Sequence, residues 1–123
     1  MALKLTRGER IMIGRRRDGH TQGSFAEEQN ISQPIVSRWE SDELEPPKDV
    51  LKRYKRLGKL SQGEQALIMR RRLGLSIRDA AKMHGISHFH LIRIEADERQ
   101  SDESTTFIHH IYEKGRIEHA VNH

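Results

Sequence analysis

"NISQPIVSRWE", residues 30–40, puts the apolar Ile31, Val36 and Trp39 on one side of a short helix and Gln33, Pro34, Ile35, Ser37 and Arg38 on the other. Residues 85–95, "GISHFHLIRIE", repeat the inward side of this pattern with Ile86, Leu91 and Ile94 while changing the outward side to His88, Phe89, His90 and Ile92. The echo is part of a longer one. Shifting the chain by 55 residues aligns 5–43 with 60–98 without a gap, and about 15 of the 39 pairs are identical, among them Gly8/Gly63, Arg15–Arg17/Arg70–Arg72, Ala26/Ala81, Ser32/Ser87, Arg38/Arg93 and Glu40/Glu95. The chain is a duplicated unit.

Local punctuation divides each copy. "TRGE" (6–9) and "SQGE" (61–64) match a capping box, in which Thr or Ser caps the first amides and Glu reaches back. The first helix of each copy runs through the Arg triplet and stops at Gly19 or Gly74, where a residue without Cβ takes a left-handed turn. Thr21 and Ser76 begin a second helix that ends near Asn30 or Gly85, residue types that tolerate positive φ. Ser32 and Ser87 then cap a third. Helix, three-residue turn, helix is the helix-turn-helix layout. After it, Val50, Leu51, Tyr54 and Leu57 in the first copy, and Phe107, Ile108, Ile111 and Tyr112 in the second, fall at helical spacing and predict a closing amphipathic helix.

Composition agrees with small helical units. Apolar residues make up 34% of the 123, aromatics 5% and charged residues 33%, which suits short amphipathic helices better than sheets with long β-branched runs. There is no cysteine, which excludes disulfides, thiolate zinc sites and cysteine nucleophiles and points to a reducing compartment. No stretch approaches the roughly 18 apolar residues of a membrane span, so the expectation is a cytoplasmic protein with no membrane contact. The net charge of +4 is carried entirely by the first half: residues 1–59 hold 13 Lys/Arg against 9 Asp/Glu, and residues 60–123 hold 9 against 9. The basic balance favours a polyanionic partner, and the two halves should differ electrostatically.

The stretch "TQGSFAEEQNISQPIVSRWE" resembles the lambda repressor, Cro and XRE type of helix-turn-helix. Thr21, Gln22, Ala26, Ile31, Ser32, Val36, Trp39 and Glu40 carry the resemblance, which covers nearly all of 5–58 and, more weakly, 60–112. It implies an all-α fold of two tandem helix-turn-helix domains, 1–58 and 59–123, of about five helices each. It also implies a sequence-specific DNA-binding transcription regulator, a repressor of phage or mobile-element type whose recognition helix enters the operator major groove. Gln22, eleven residues before Gln33, takes the place of a glutamine that in the family contacts phosphate and braces the base-reading one.

The residue chemistry is compatible with that role. Gln33 can pair bidentately with adenine, Arg38 with guanine, and Pro34 or Ile35 can touch a thymine methyl. Ser37, Thr21 and the Arg15–Arg17 triplet are candidates for the phosphate backbone, the triplet otherwise being a solvated face, and Ser32 and Arg17 count among the DNA-contacting residues. Trp39 reads as core, and Glu40 and Glu95 as internal salt-bridge or capping residues. In the second copy Ile77 replaces the bracing glutamine and His88 the reading one, while Phe89, His90 and Arg93 share the outward face. Those residues suit DNA contact or a protein-binding surface.

Seven of the eight histidines lie in the second half, but without cysteine they form no convincing zinc set, and no cofactor is expected. No nucleophile with its base and no phosphate loop can be assembled, so an enzyme is not expected. Double-stranded operator DNA is the expected partner, read either by both units of one chain or, as the Phe89, Ile92, Phe107 and Ile111 set favours, by a homodimer on half-sites about 34 Å apart. RNA polymerase or a toxin-type protein is a further candidate partner. The alternative function is an antitoxin-like module that binds its own promoter through the first unit and a partner protein through the second.

Overall fold

The computed structural model describes residues 3–98, and among these the regular structure is entirely helical. The chain divides into two compact units, Met1–Lys59 and Leu60–His123. Unit 1 contains α1 (Arg7–Arg17), α2 (Gln22–Gln29), α3 (Gln33–Glu40) and α4 (Lys48–Arg53); the described part of unit 2 contains α5 (Gln62–Arg72), α6 (Ile77–Met83) and α7 (His88–Glu95). No helix of the described residues is long and apolar enough to cross a membrane.

Helix starts follow side-chain capping. In α1 the Thr6 hydroxyl accepts the Glu9 amide at 3.1 Å while Glu9 accepts the Thr6 amide at 2.9 Å, and Ser61 and Glu64 repeat both bonds in α5. Thr21 and Ser24 form the same reciprocal pair at the start of α2. The helix stops are left-handed residues, Gly19 at φ 79°, Asn30 at 56°, Gly74 at 70° and Gly85 at 65°. Ser32 departs from its expected capping role. Its side chain makes no cap bond, because Pro34 has no amide to offer and the Ile35 amide is taken by the Ser32 carbonyl at 3.1 Å. In unit 2, where Phe89 replaces that proline, Ser87 does cap, accepting the His90 amide at 3.1 Å.

The unit 1 core gathers Ile11, Phe25, Ala26, Val36, Trp39, Val50 and Tyr54. Helix α3 packs against both α1 and α2, and α4 closes on α1. Trp39 is core, 4% exposed. Unit 1 has four helices rather than about five, because the segment after α3 turns at Asp42 (φ 63°) and reaches α4 through Pro46 and Pro47 without forming another. Helix α4 also ends at Arg53, yet Tyr54 is buried and Leu51 and Leu57 pack on the core, so all four apolar positions find it. The Phe107–Tyr112 set of the second copy lies outside the described residues.

Where α1 begins, its backbone touches the end of α3. A Cβ on Gly8 would lie 2.4 Å from the Trp39 carbonyl oxygen, and one on Gly63 would lie 2.5 Å from that of Ile94. Asp42 seals this contact in unit 1: one oxygen accepts the Gly8 amide at 2.9 Å and the other accepts the Thr6 hydroxyl at 2.7 Å. Asp97 does the same for Gly63 and Ser61 at 2.8 and 2.5 Å. A carboxylate here meets the positive end of the α1 or α5 dipole.

At its other end α4 is held by charges peculiar to unit 1. Arg53 donates to Asp18 at 3.0 Å and to Glu28 at 2.5 Å, the Tyr54 hydroxyl donates to Asp18 at 2.7 Å, and His20 lies 2.6 Å from Glu28. Burial first, and then the bond to Asp18, push the Tyr54 hydroxyl above its ordinary pKa. At the repeat-equivalent positions unit 2 has Leu73 for Asp18, Leu75 for His20 and Met83 for Glu28.

Gly8→Ala is expected to destabilise unit 1 by about 1–3 kcal/mol, since backbone rather than a mobile side chain blocks the new methyl. Urea unfolding followed by Trp39 fluorescence measures it. The second expectation concerns acid. The hydrogen bond from Arg53 holds Glu28 below its usual 4.5, so the stabilisation it confers is present above that pH and is lost as pH falls through the lowered value. Thermal midpoints between pH 6 and 3 should therefore fall less steeply in Glu28→Gln than in the parent protein.

Candidate nucleic-acid interface

The outward side of α3 is built on a buried ion pair. Arg15, from the last turn of α1, donates through Nε to Glu40 Oε2 at 2.7 Å and through Nη2 to Oε1 at 3.1 Å. The side chains are 9% and 0% exposed. The remaining Arg15 fork donates to the His20 carbonyl at 2.7 Å, just before α2 begins. One guanidinium thus joins the end of α1, the entry to α2 and the end of α3.

From this pair a hydrogen-bond chain leads to the surface. Gln22 Nε2 donates to Glu40 Oε1 at 3.0 Å, and Gln33 Nε2 donates to Gln22 Oε1 at 2.9 Å. Gln22 is half-buried and Gln33 exposed at the first position of α3. Pro34, Ser37 and Arg38 are exposed on the same side of the helix, with the exposed Ser32 hydroxyl beside them. This is a short polar edge with one amide held in place and, at Arg38, an exposed guanidinium.

Several of the candidate contact residues are engaged within unit 1. Ile35 is half-buried and packs on the unit 1 core, so the face is Gln33, Pro34, Ser37 and Arg38 without it. Arg17 folds back and donates to the Leu57 carbonyl and, at 3.1 Å, to that of Lys59, where it ties down the end of unit 1. Thr21 is exposed, but its hydroxyl oxygen accepts the Ser24 amide at 3.0 Å. Arg15, within the Arg triplet, is a buried structural residue; only Arg16 and Arg17 of that run are exposed.

Unit 2 keeps the ion pair and drops the chain. Arg70 donates to Glu95 at 2.7 and 3.1 Å and to the Leu75 carbonyl at 2.9 Å, reproducing the unit 1 arrangement. Ile77 then stands where Gln22 does, with no amide to continue outward. His88 is half-buried with its ring 4.1 Å from that of Phe89, and His90, expected outward, is half-buried too. The exposed part of the face is Phe89 at 66%, Ile92 at 45%, and Arg93.

The partner of Glu40 and the Asp42 clamp were the residues that pattern reading did not single out. A signal for both exists in the repeat: Arg15/Arg70, Glu40/Glu95 and Asp42/Asp97 are identical pairs. Among the described residues no group of three or more His, Cys, Asp or Glu side chains could hold a metal ion. Comparison with known protein families, curated proteins and solved structures found no match to this chain.

Arg15→Met alone leaves Glu40 buried without its cation and is expected to destabilise unit 1 by about 3–5 kcal/mol, whereas Arg15→Met combined with Glu40→Leu should recover most of that loss. Urea unfolding of the single and double variants gives the comparison; equal destabilisation by both would contradict it.

Proposed function

We propose that the chain is a sequence-specific DNA-binding regulator made of two tandem helix-turn-helix domains, in which α3 of unit 1 is the base-reading helix. The observation that carries this reading is the braced Gln33: a side chain at the exposed N-terminal end of α3, held at 2.9 Å by Gln22, which is held in turn by the buried Glu40. An exposed glutamine ordinarily gives up rotamer freedom on binding, and fixing it beforehand lowers that loss. Holding an exposed amide through two further side chains has no evident use in the core. It suits a group whose orientation matters to a partner.

Around it, Arg38 is available to a guanine, Pro34 to a thymine methyl, and Ser32 and Ser37 to phosphates. The basic excess of residues 1–59 supports attraction to a polyanion. Repression is the simplest regulatory outcome, since a bound operator excludes polymerase without any further domain. The exposed Phe89 and Ile92, on a unit with balanced charge, favour protein contact for unit 2, either with a second copy or with a partner protein as in an antitoxin.

Gln33→Ala with Arg38→Ala is expected to remove sequence preference while leaving the helical circular dichroism intact, since both residues are exposed. Each substitution should weaken binding to the selected duplex by about 1–3 kcal/mol. Competition binding against random duplex DNA checks this, and full retention of selectivity by the double variant refutes the reading.

A further inference from the structure

The basic excess of unit 1 is confined to one short stretch. Residues 1–59 hold 13 Lys/Arg against 9 Asp/Glu, and five of those cations, Lys52, Arg53, Lys55, Arg56 and Lys59, fall in residues 52–59, which contain no acid. Without this stretch, residues 1–51 hold 8 Lys/Arg against 9 Asp/Glu, a net charge of −1. The helices that carry the α3 edge are therefore not basic as a group. Long-range attraction of unit 1 to phosphates has its source in the eight residues at the end of α4 and beyond it.

Within this stretch Arg53 is committed to the carboxylates of Asp18 and Glu28. Lys52, Lys55, Arg56 and Lys59 are exposed, and no ion pair among the described residues includes them. Lys52 lies in the last turn of α4, where the helix dipole accounts for a cation. Lys55, Arg56 and Lys59 lie past the helix end and have no such account. Three like charges within five residues repel one another, which costs the fold and does not help it. The backbone that carries them is nevertheless anchored. Leu57 packs on the unit 1 core, Gly58 turns the chain at φ 70°, and Arg17 donates to the Leu57 carbonyl and, at 3.1 Å, to that of Lys59. The Arg17 guanidinium adds its own positive charge beside them.

Cations set along an anchored backbone, with no counter-charge from the protein, fit a partner that brings negative charges in a row. We infer that residues 55–59, together with Arg17, form a second contact surface of unit 1, made of residues other than the α3 edge, which takes the phosphate backbone of double-stranded DNA whatever its base sequence. In this division α3 supplies the choice of sequence and the 55–59 segment supplies the attraction. The commitment to DNA over other polyanions rests on the reading role proposed for α3, because both surfaces belong to unit 1. Unit 2 has no counterpart in its sequence: after α7, residues 99–123 hold Arg99, Lys114 and Arg116 against Asp102, Glu103, Glu113 and Glu118.

The test is the salt dependence of duplex binding by the full chain. Each phosphate contact contributes about 0.9 to the slope of log Kobs against log salt concentration. Lys55→Gln, Arg56→Gln and Lys59→Gln together are expected to make that slope shallower by about 2 to 3 on a random-sequence duplex. Their helical circular dichroism should be unchanged, since all three residues are exposed. Arg71→Gln, Arg78→Gln and Lys82→Gln remove the same charge from exposed positions of unit 2 and should change the slope by less than about 0.5. An unchanged slope in the 55–59 variant overturns the inference, and so does an equal loss in both triple variants, because net charge alone then explains the binding. Tighter binding of the parent to single-stranded RNA or to anionic lipid vesicles than to duplex DNA, lost in the 55–59 variant, overturns the assignment of the partner. Preference for a selected over a random duplex separates the two roles: it should survive in the 55–59 variant and disappear in Gln33→Ala with Arg38→Ala. A 55–59 effect on the slope without any sequence selection by the parent overturns the reading role and leaves the phosphate surface standing; absence of duplex binding by the parent overturns both.

Discussion

A guanidinium at the end of α1 is buried against a carboxylate at the end of α3, and the rest of unit 1 is arranged so that neither charge lacks a partner. Taking both out of water is costly, and their mutual attraction offsets this only when the remaining hydrogen-bonding capacity is also satisfied. Here it is. Arg15 spends its third contact on the His20 carbonyl, and Glu40 spends its on Gln22. Because His20 and Gln22 flank the start of α2, satisfying the pair also sets where α2 begins relative to α1 and α3. Such a pair adds little net stability but penalises any register in which the three helices meet differently.

The second constraint is backbone contact at the opposite end of α1. Gly8 and Gly63 allow a helix start to rest on the carbonyls that end α3 or α7, and Asp42 and Asp97 bond across the joint. These two features are shared by both units, and the differences lie outside them. Unit 1 seats Tyr54 over Gly14 and anchors α4 with Asp18, Glu28 and Arg53, whereas unit 2 has Met69 in place of Gly14 and apolar residues in place of the anchoring acids. Once the common frame is secure, the outer face of the third helix is free to change. In unit 1 it is polar and braced; in unit 2 it carries the exposed Phe89 and Ile92 beside Arg93, and no braced amide.

That contrast gives the functional reading its shape. A glutamine held by a glutamine held by a buried carboxylate is the use of core electrostatics to orient a surface group, and it occurs in the more basic half of the chain. The corresponding surface in unit 2 carries Phe89 and Ile92, which gain by leaving water and have little to offer a base edge beyond a methyl contact.

Sequence by itself determined the features whose causes lie within a turn of helix: the capping boxes at Thr6 and Ser61, the left-handed stops at Asn30 and Gly85, and the inward Val36 and Trp39 of α3. The meeting of Gln22 with Gln33 was legible only through a family resemblance, eleven residues being too far for backbone periodicity to specify. Tertiary structure alone decided the fate of Ile35 and His90, which lie at the margin of an eight-residue helix wedged between neighbours, where the width of the buried stripe depends on what packs beside it. It also decided which arginine of the triplet is buried, since Arg15 and Arg17 differ by only two positions on α1 but reach Glu40 and the Leu57 carbonyl, 25 and 40 residues away. Local rules bind residues a few positions apart; the partner of a charge is chosen when distant segments close on each other and water is excluded between them.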